Sequence, residues 1–357
     1  MNKLPETMRG AMLLGPEAIE VRDVPTPRPS EGEALVRIGA ANTCGTNVKV
    51  FRRGGHPRML KVPTLFGHEM TGTVAAVGMT TSSLAVGERV VVSNSAPCGR
   101  CEYCENGREN LCTDLHYLNG AFAEYLLIPE RFVRVATHRL PDDLPFERAA
   151  LTEPLACVLH GIDACEARAL GSDEVIVYGA GPIGLLFVGT LARAGHSVIL
   201  ADPNPQRLEV GEAFGATKAV VIERGGGQSE VVRAQTRGGR GAAVAVDATG
   251  VPEVWADAME SVRPGGTVNL FGGCAPGTTM PIDTHRIHYS EITIKGVYHH
   301  RPATVCRAIE LLTDPAFKAD LLLSGTRPIE ETEEALRSMM RKETLKVVIR
   351  SERGIKY

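Results

Sequence analysis

The sequence predicts an α/β protein in two parts, a β-rich part and a doubly wound parallel sheet. Two observations carry this. At 357 residues the chain exceeds what one hydrophobic core comfortably serves, so two domains are expected. The texture also changes near residue 155. Before it, short apolar runs are bounded by Gly, Pro and Asn; after it, strands alternate with helical stretches. Hydrophobic residues make up 43% and charged residues 23%, a balance that supports ordered cores rather than disorder.

In the first part, "ALVRIGA", "TGTVAAVG", "ERVVVS" and "AEYLLIP" read as strands. "EVIVYGAGPIGLLFVGTLARAGHSVILADPN" then reads as a buried strand, a glycine-rich turn, an apolar helix and a second strand. "KAVVI", "AVAVDATG", "GTVNLFGG" and "EITIKGVY" continue the alternation. From about 297 come two helical segments, "ATVCRAIELL" and "IEETEEALRSMMR", and a last strand, "LKVVIR". "RGGGQ" reads as a surface loop.

A net charge of −3 gives no cue for a nucleic-acid partner or an anionic membrane surface. No apolar run approaches the roughly 20 residues of a membrane span. "MNKLPETMRGAMLL" lacks the sections of a signal peptide, so a cytoplasmic location is expected. In that compartment clustered cysteines point to metal or catalysis rather than to disulfides.

"VYGAGPIG" places Gly179, Gly181 and Gly184 in G-x-G-x-x-G spacing, with Pro182 and Ile183 in the same turn. The pattern alone is weak; between a strand and a helix it reads as a dinucleotide site. The first glycine makes the turn, the second admits a pyrophosphate, and the third lets helix and strand pack. Asp202 ends the second strand, where a carboxylate suits a ribose 2′-hydroxyl and repels a 2′-phosphate. NAD is therefore expected in preference to NADP. Arg207 is a candidate to lie over the adenine, with contact to a 2′-phosphate as the less favoured alternative.

"PCGRCEYCENGRENLC" spaces Cys98, Cys101 and Cys104 as C-x2-C-x2-C, with Cys112 after seven further residues. Four thiolates can close a tetrahedral, structural zinc site. The iron–sulfur rival runs C-x2-C-x2-C-x3-C before a proline, and here the last gap is longer. A second grouping is scattered: Cys44, His68, Glu69 and Glu153. One thiol, one imidazole and two carboxylates suit zinc with an open position, although their spacing alone has low specificity. Cys157, Cys165, Cys274 and Cys306 read as buried small hydrophobes. His138, His160, His196, His285 and His288 receive the same ordinary core or surface reading.

Taken in order, "TCGTN", "GHEMTGTVAAVG", "VGERVVV", the four-cysteine lobe, "EPLACVLHG", "VYGAGPIG", "ILAD", "DATG" and "RPGGTV" resemble the zinc-dependent medium-chain dehydrogenases of the alcohol dehydrogenase superfamily, on its sorbitol (polyol) and threonine dehydrogenase branch. The resemblance implies a GroES-like catalytic domain at 1–156 and 297–357, with a zinc lobe at 94–115. It implies a Rossmann NAD-binding domain at 157–296. It makes Cys44, His68 and Glu69 ligands of a catalytic zinc, with Glu153 binding directly or through water, and Thr46 the start of a proton relay.

Three departures bear on the substrate. The family usually has Asp where Asn47 stands and often His where Lys49 stands, so Lys49 becomes the candidate relay residue. "YHHRP" puts His299 and His300 where sorbitol dehydrogenases carry an Arg-Tyr pair, which points away from sorbitol itself. The expected activity is reversible, NAD-dependent oxidation of a secondary alcohol of a polyol, sugar or cyclitol to a ketone, in a homodimer or homotetramer. A threonine dehydrogenase-like activity is the alternative. A zinc-free reductase of the same superfamily and a non-catalytic NAD-binding protein are more distant readings.

Overall fold

The computed structural model describes residues 4–81, 83–165 and 174–351. The chain divides into two compact units. One comprises Met1–Pro154, Arg301–Asp314 and Leu322–Tyr357; the other comprises Leu155–His300 and Pro315–Leu321.

The first unit is built on a seven-stranded sheet. Its order is Thr137–Arg139, Arg89–Val92, Glu69–Val77, Ala34–Asn42, Lys346–Arg350 and Leu323–Pro328, with Tyr125–Ile128 also paired to Ala34–Asn42. The strands expected from "ALVRIGA", "TGTVAAVG", "ERVVVS" and "AEYLLIP" are all present. The last strand enters this sheet beside Ala34–Asn42, antiparallel, with Ile349 opposite Ala41 and Val348 opposite Asn42. A second sheet, Ala18–Pro25, Thr7–Gly15 and Thr64–Leu65, includes an N-terminal hairpin not among the strands expected from the sequence. Phe66 and Phe122 meet edge to face at 5.8 Å in the core of this unit.

The second unit carries six parallel strands in the order Lys218–Val221, Ser197–Asp202, Glu174–Tyr178, Ala242–Asp247, Val262–Leu270 and Thr293–Gly296. In chain order this is three, two, one, four, five, six, the Rossmann arrangement. The inner strands are unbroken apolar runs because helices cover parallel sheets on both faces. The order reverses between Glu174–Tyr178 and Ala242–Asp247. The crevice outside the carboxyl ends of those two strands is where such sheets bind ligands.

The glycine turn opens that crevice. Gly179 has φ +100°, a conformation that a side chain rarely adopts. Gly181 caps the helix Pro182–Arg193. A Cβ on Gly184 would lie 1.7 Å from the Gly179 carbonyl oxygen, so the helix can lie against the strand only with hydrogen there. Gly184→Ala is expected to destabilise the protein by about 1–3 kcal/mol through overpacking. An unchanged thermal midpoint would show that the turn has room to spare.

Candidate active site and metal centres

Three chain segments meet at one corner of the first unit's sheet. Glu69 stands opposite Asn42, two residues before Cys44, and His68 precedes it. Thr43 holds the last strand in place: its N–H donates to the Val347 carbonyl at 3.0 Å and its Oγ1 accepts the Val347 N–H at 2.8 Å. Cys44 caps the helix Gly45–Arg53, and its sulfur accepts the Asn47 N–H at 3.4 Å. Side chains distant in the chain are thereby joined. Cys44 Sγ lies 3.3 Å from His68 Nε2, and the ligand atoms of Cys44, His68 and Glu69 all fall within 4.8 Å of one another.

All three residues are buried, and charge decides what such a pocket can hold. Burial pushes the Cys44 thiol well above its ordinary range; the Glu69 carboxylate adds to the rise and Lys346 opposes it. Burial likewise raises Glu69, against the pull of Lys346 and His68. A thiolate and a carboxylate crowded together away from water need positive charge. Lys346 supplies part of it. Its ammonium donates to Glu69 Oε2 at 2.5 Å and to the Thr43 carbonyl at 2.9 Å, with both charged side chains only 1% exposed. A divalent cation between sulfur, imidazole and carboxylate would answer the remainder, so the donor set fits zinc.

The other residues expected here are placed as follows. Glu153 lies in the first turn of the helix Thr152–Ala164, and its Oε1 accepts a hydrogen bond from Asn94 Nδ2 at 3.1 Å. Its charge is felt at Cys44. Thr46 and Lys49 both ride on Gly45–Arg53, half-buried and exposed respectively. Three residues apart, they lie on one face of that helix. Lys346 and Asn94 carry no sequence signal that marks them as part of this site. Lys346 sits in "LKVVIR", where one lysine opening an apolar strand is the only signal, and that signal equally marks a strand end at the surface.

The four-cysteine lobe forms around the short helix Glu102–Glu105. Sulfur separations are 3.5 Å for Cys101–Cys104, 3.8 Å for Cys101–Cys112 and 4.0 Å for Cys98–Cys104. A zinc tetrahedron with bonds near 2.3 Å has edges of about 3.8 Å. A disulfide would need about 2.05 Å; all nine cysteines are free. Backbone hydrogen bonds at Thr113 and then Cys104 hold the Cys101 thiol down to about 6, whereas burial and then Cys101 push Cys104 up to about 12.

In the second unit, Asp202 is buried and already engaged. Its Oδ2 accepts the Ala180 N–H of the glycine turn at 2.7 Å and its Oδ1 the Asn204 N–H at 2.8 Å. Arg207 is half-buried beside it; burial lowers its guanidinium and Asp202 opposes that. Across the crevice, Asp247 gathers the "DATG" turn, accepting from Thr249 N–H, Gly250 N–H and Trp255 Nε1 at 3.0–3.1 Å. His299 and His300 follow the sixth strand with ring centroids 4.1 Å apart, and His299 holds φ +63°. Such a conformation in a bulky residue marks a locally constrained site.

Two family models match the chain: the alcohol dehydrogenase GroES-like domain over residues 30–142 and zinc-binding dehydrogenase over residues 182–314. The sorbitol dehydrogenase of Bacillus subtilis strain 168 is 30% identical over 97% of this chain and 98% of its own. The chain belongs to the medium-chain alcohol dehydrogenase superfamily. It is accordingly an oxidoreductase acting on CH–OH groups of small molecules, with a GroES-like and a Rossmann-type domain. The L-threonine 3-dehydrogenase of Aeromonas hydrophila is 32% identical over 78% of this chain and 80% of its own. Among solved structures, a zinc-binding dehydrogenase from Sinorhizobium meliloti 1021 bound to NADP superposes with TM-score 0.88 at 29% identity, covering 97% of this chain and 99% of that one. The alcohol dehydrogenase of Thermus sp. ATN1 gives TM-score 0.86 at 28% identity, with 97% and 100% covered.

Some expectations for this dehydrogenase need correction. Cys157 and Cys165 are buried as small hydrophobes should be, but Cys274 is half-buried and Cys306 is exposed. Cys306 lies on the outer side of the helix Pro302–Thr313, its sulfur 3.8 Å from His138 Nδ1. Helical periodicity places only one face inward, and a cysteine reads alike on either face. No helix among the described residues is long and apolar enough to cross a membrane.

Removing the Lys346 charge should leave Glu69 as a buried, unbalanced carboxylate. Lys346→Met is expected to lower the unfolding free energy by about 3–5 kcal/mol. Adding Glu69→Gln should recover most of that loss, because the partner charge goes with it. Equal stability of the single and double variants in urea titration would show that the pair is uncoupled.

Proposed function

We propose that this chain reversibly oxidises a secondary alcohol of a polyol, sugar, cyclitol or related hydroxylated molecule to a ketone, using NAD. The observation that carries the reading is the convergence of Cys44, His68 and Glu69 within 4.8 Å in a buried, negatively weighted corner. Those three residues would hold a catalytic zinc, with Glu153, steered by Asn94, as a further oxygen ligand. Cys98, Cys101, Cys104 and Cys112 would hold a structural one. When bound, zinc supplies a Lewis acid for the alcohol oxygen and the nicotinamide accepts the hydride.

The chain's own residues do the rest. Thr46 accepts the substrate hydroxyl proton while releasing its own. Lys49, one helical turn further along the same face and exposed, takes up the proton that Thr46 releases as it gives its own to solvent. Gly179, Gly181 and Gly184, with Pro182 and Ile183 opening the helix, give the dinucleotide phosphates an approach to backbone N–H groups. Asp202 favours a ribose hydroxyl over a 2′-phosphate. Arg207 is the cation that a 2′-phosphate would use, and the NADP-bound relative keeps that cofactor in view as the second choice. The rings of His299 and His300 offer donors to several substrate hydroxyls. The grouping of Cys44 with His68 and Glu69 speaks against a zinc-free reductase. The resemblance further supports a cytoplasmic homodimer or homotetramer.

Two measurements test this. The protein should carry two zinc ions per chain, with Cys44→Ser keeping one and losing NAD-dependent turnover; full zinc and full activity in that variant would sink the catalytic assignment. Cys101→Ser should instead lower the melting temperature more than the chemical step, and normal melting with selectively lost turnover would contradict a structural lobe. An NAD-reduction screen over polyols, aminocyclitols, sugar phosphates and threonine decides the substrate. Turnover of threonine alone would select the alternative that the Aeromonas relative supports.

A further inference from the structure

We infer that Asn47 sets how tightly the Cys44–His68–Glu69 corner loads its metal, acting through the His68 ring as a positioning residue. The inference rests on the proposed metal role of that corner. Asn47 is fully buried and His68 nearly so, at 0% and 5% exposed. The Asn47 side chain bridges two groups. Its Oδ1 accepts the Cys44 N–H at 3.1 Å, and its Nδ2 stands 3.3 Å from His68 Nδ1. The other ring nitrogen, Nε2, faces Cys44 Sγ at 3.3 Å.

A side-chain amide offers one acceptor atom and one donor nitrogen. The Cys44 N–H is a donor fixed by the backbone, and it takes Oδ1. Nδ2 is left for His68, so Nδ1 must accept and the ring proton belongs on Nε2. Nε2 is also the nitrogen that a metal shared with Cys44 must use. Ligation there requires the proton on Nδ1, where it points at the N–H of Asn47. Turning the amide over does not help, because Nδ2 then faces the Cys44 N–H. In either orientation one of two buried donors meets another donor. A carboxylate of the same shape accepts from both. Asn47 therefore loosens zinc at this corner.

The test is zinc competition with a chromogenic chelator on the full-length protein and on Asn47→Asp, with Cys44→Ser identifying the phase that belongs to this corner. Asn47→Asp is expected to tighten that phase by about 10–100-fold, the range over which outer partners of metal-binding histidines act, and to leave the lobe phase unmoved. Equal or weaker retention overturns the inference alone; absence of the phase from both proteins overturns it together with the metal assignment. Nitrogen-15 NMR of His68 in protein stripped only of the corner metal gives a second readout. The Nε2–H tautomer is expected in the protein with Asn47, and the Nδ1–H tautomer in the Asn47→Asp variant. The Nδ1–H tautomer already present beside Asn47 would refute the conflict.

Discussion

The ion pair between Lys346 and Glu69 is the constraint on which the first unit depends. Each charge is shut away from water, and neither is tolerable there without the other. The same lysine donates to the Thr43 carbonyl, one residue before Cys44. One ammonium thereby ties the last strand, the Glu69 strand and the loop leading into Gly45–Arg53. The backbone ladder between Thr43 and Val347 holds the same junction. Removing one partner of such a buried pair is strongly destabilising, so arrangements that separate the two charges are disfavoured. Here the arrangement favoured is the one that gathers a thiol, an imidazole and a carboxylate.

The two cysteine-bearing sites differ in how they are assembled. The lobe is local: four sulfurs come from fifteen consecutive residues, and backbone hydrogen bonds from Cys98, Arg100 and Asp114 orient its thiols. The Cys44 corner is the opposite, since its members arrive on a helix cap and a strand end, buttressed by a lysine from the far end of the chain. The dense run of cysteines is thus the locally assembled element, and the Cys44 corner is the one that draws on several strands of the first unit. The Rossmann sheet shows the same division. Its glycine turn is local, whereas Asp202 reaches it from the end of the next strand and accepts the Ala180 N–H.

Much of this was legible in the residues. Glycines 179, 181 and 184 between an apolar strand and an apolar helix specify a turn that few other folds use, because one carbonyl oxygen lies where a side chain would be. The C-x2-C-x2-C spacing likewise carries its own geometry. The exposure of Cys306, the N-terminal hairpin and the roles of Lys346 and Asn94 were not legible. Each turns on which face or which partner a residue meets, and a side chain's type does not encode that.

By itself, then, the sequence determined the parts whose chemistry is local: the parallel α/β texture, the glycine turn and the four-cysteine lobe. Apolar periodicity and short-range spacing are sufficient physical causes for these. Tertiary structure decided the rest. It alone set Lys346 against Glu69 across 277 positions, turned Asn94 onto Glu153, and placed the Asn47 amide between the Cys44 N–H and the His68 ring. These are contacts between buried polar groups, and which donor meets which acceptor is fixed only once the strands have paired in register and water has been excluded.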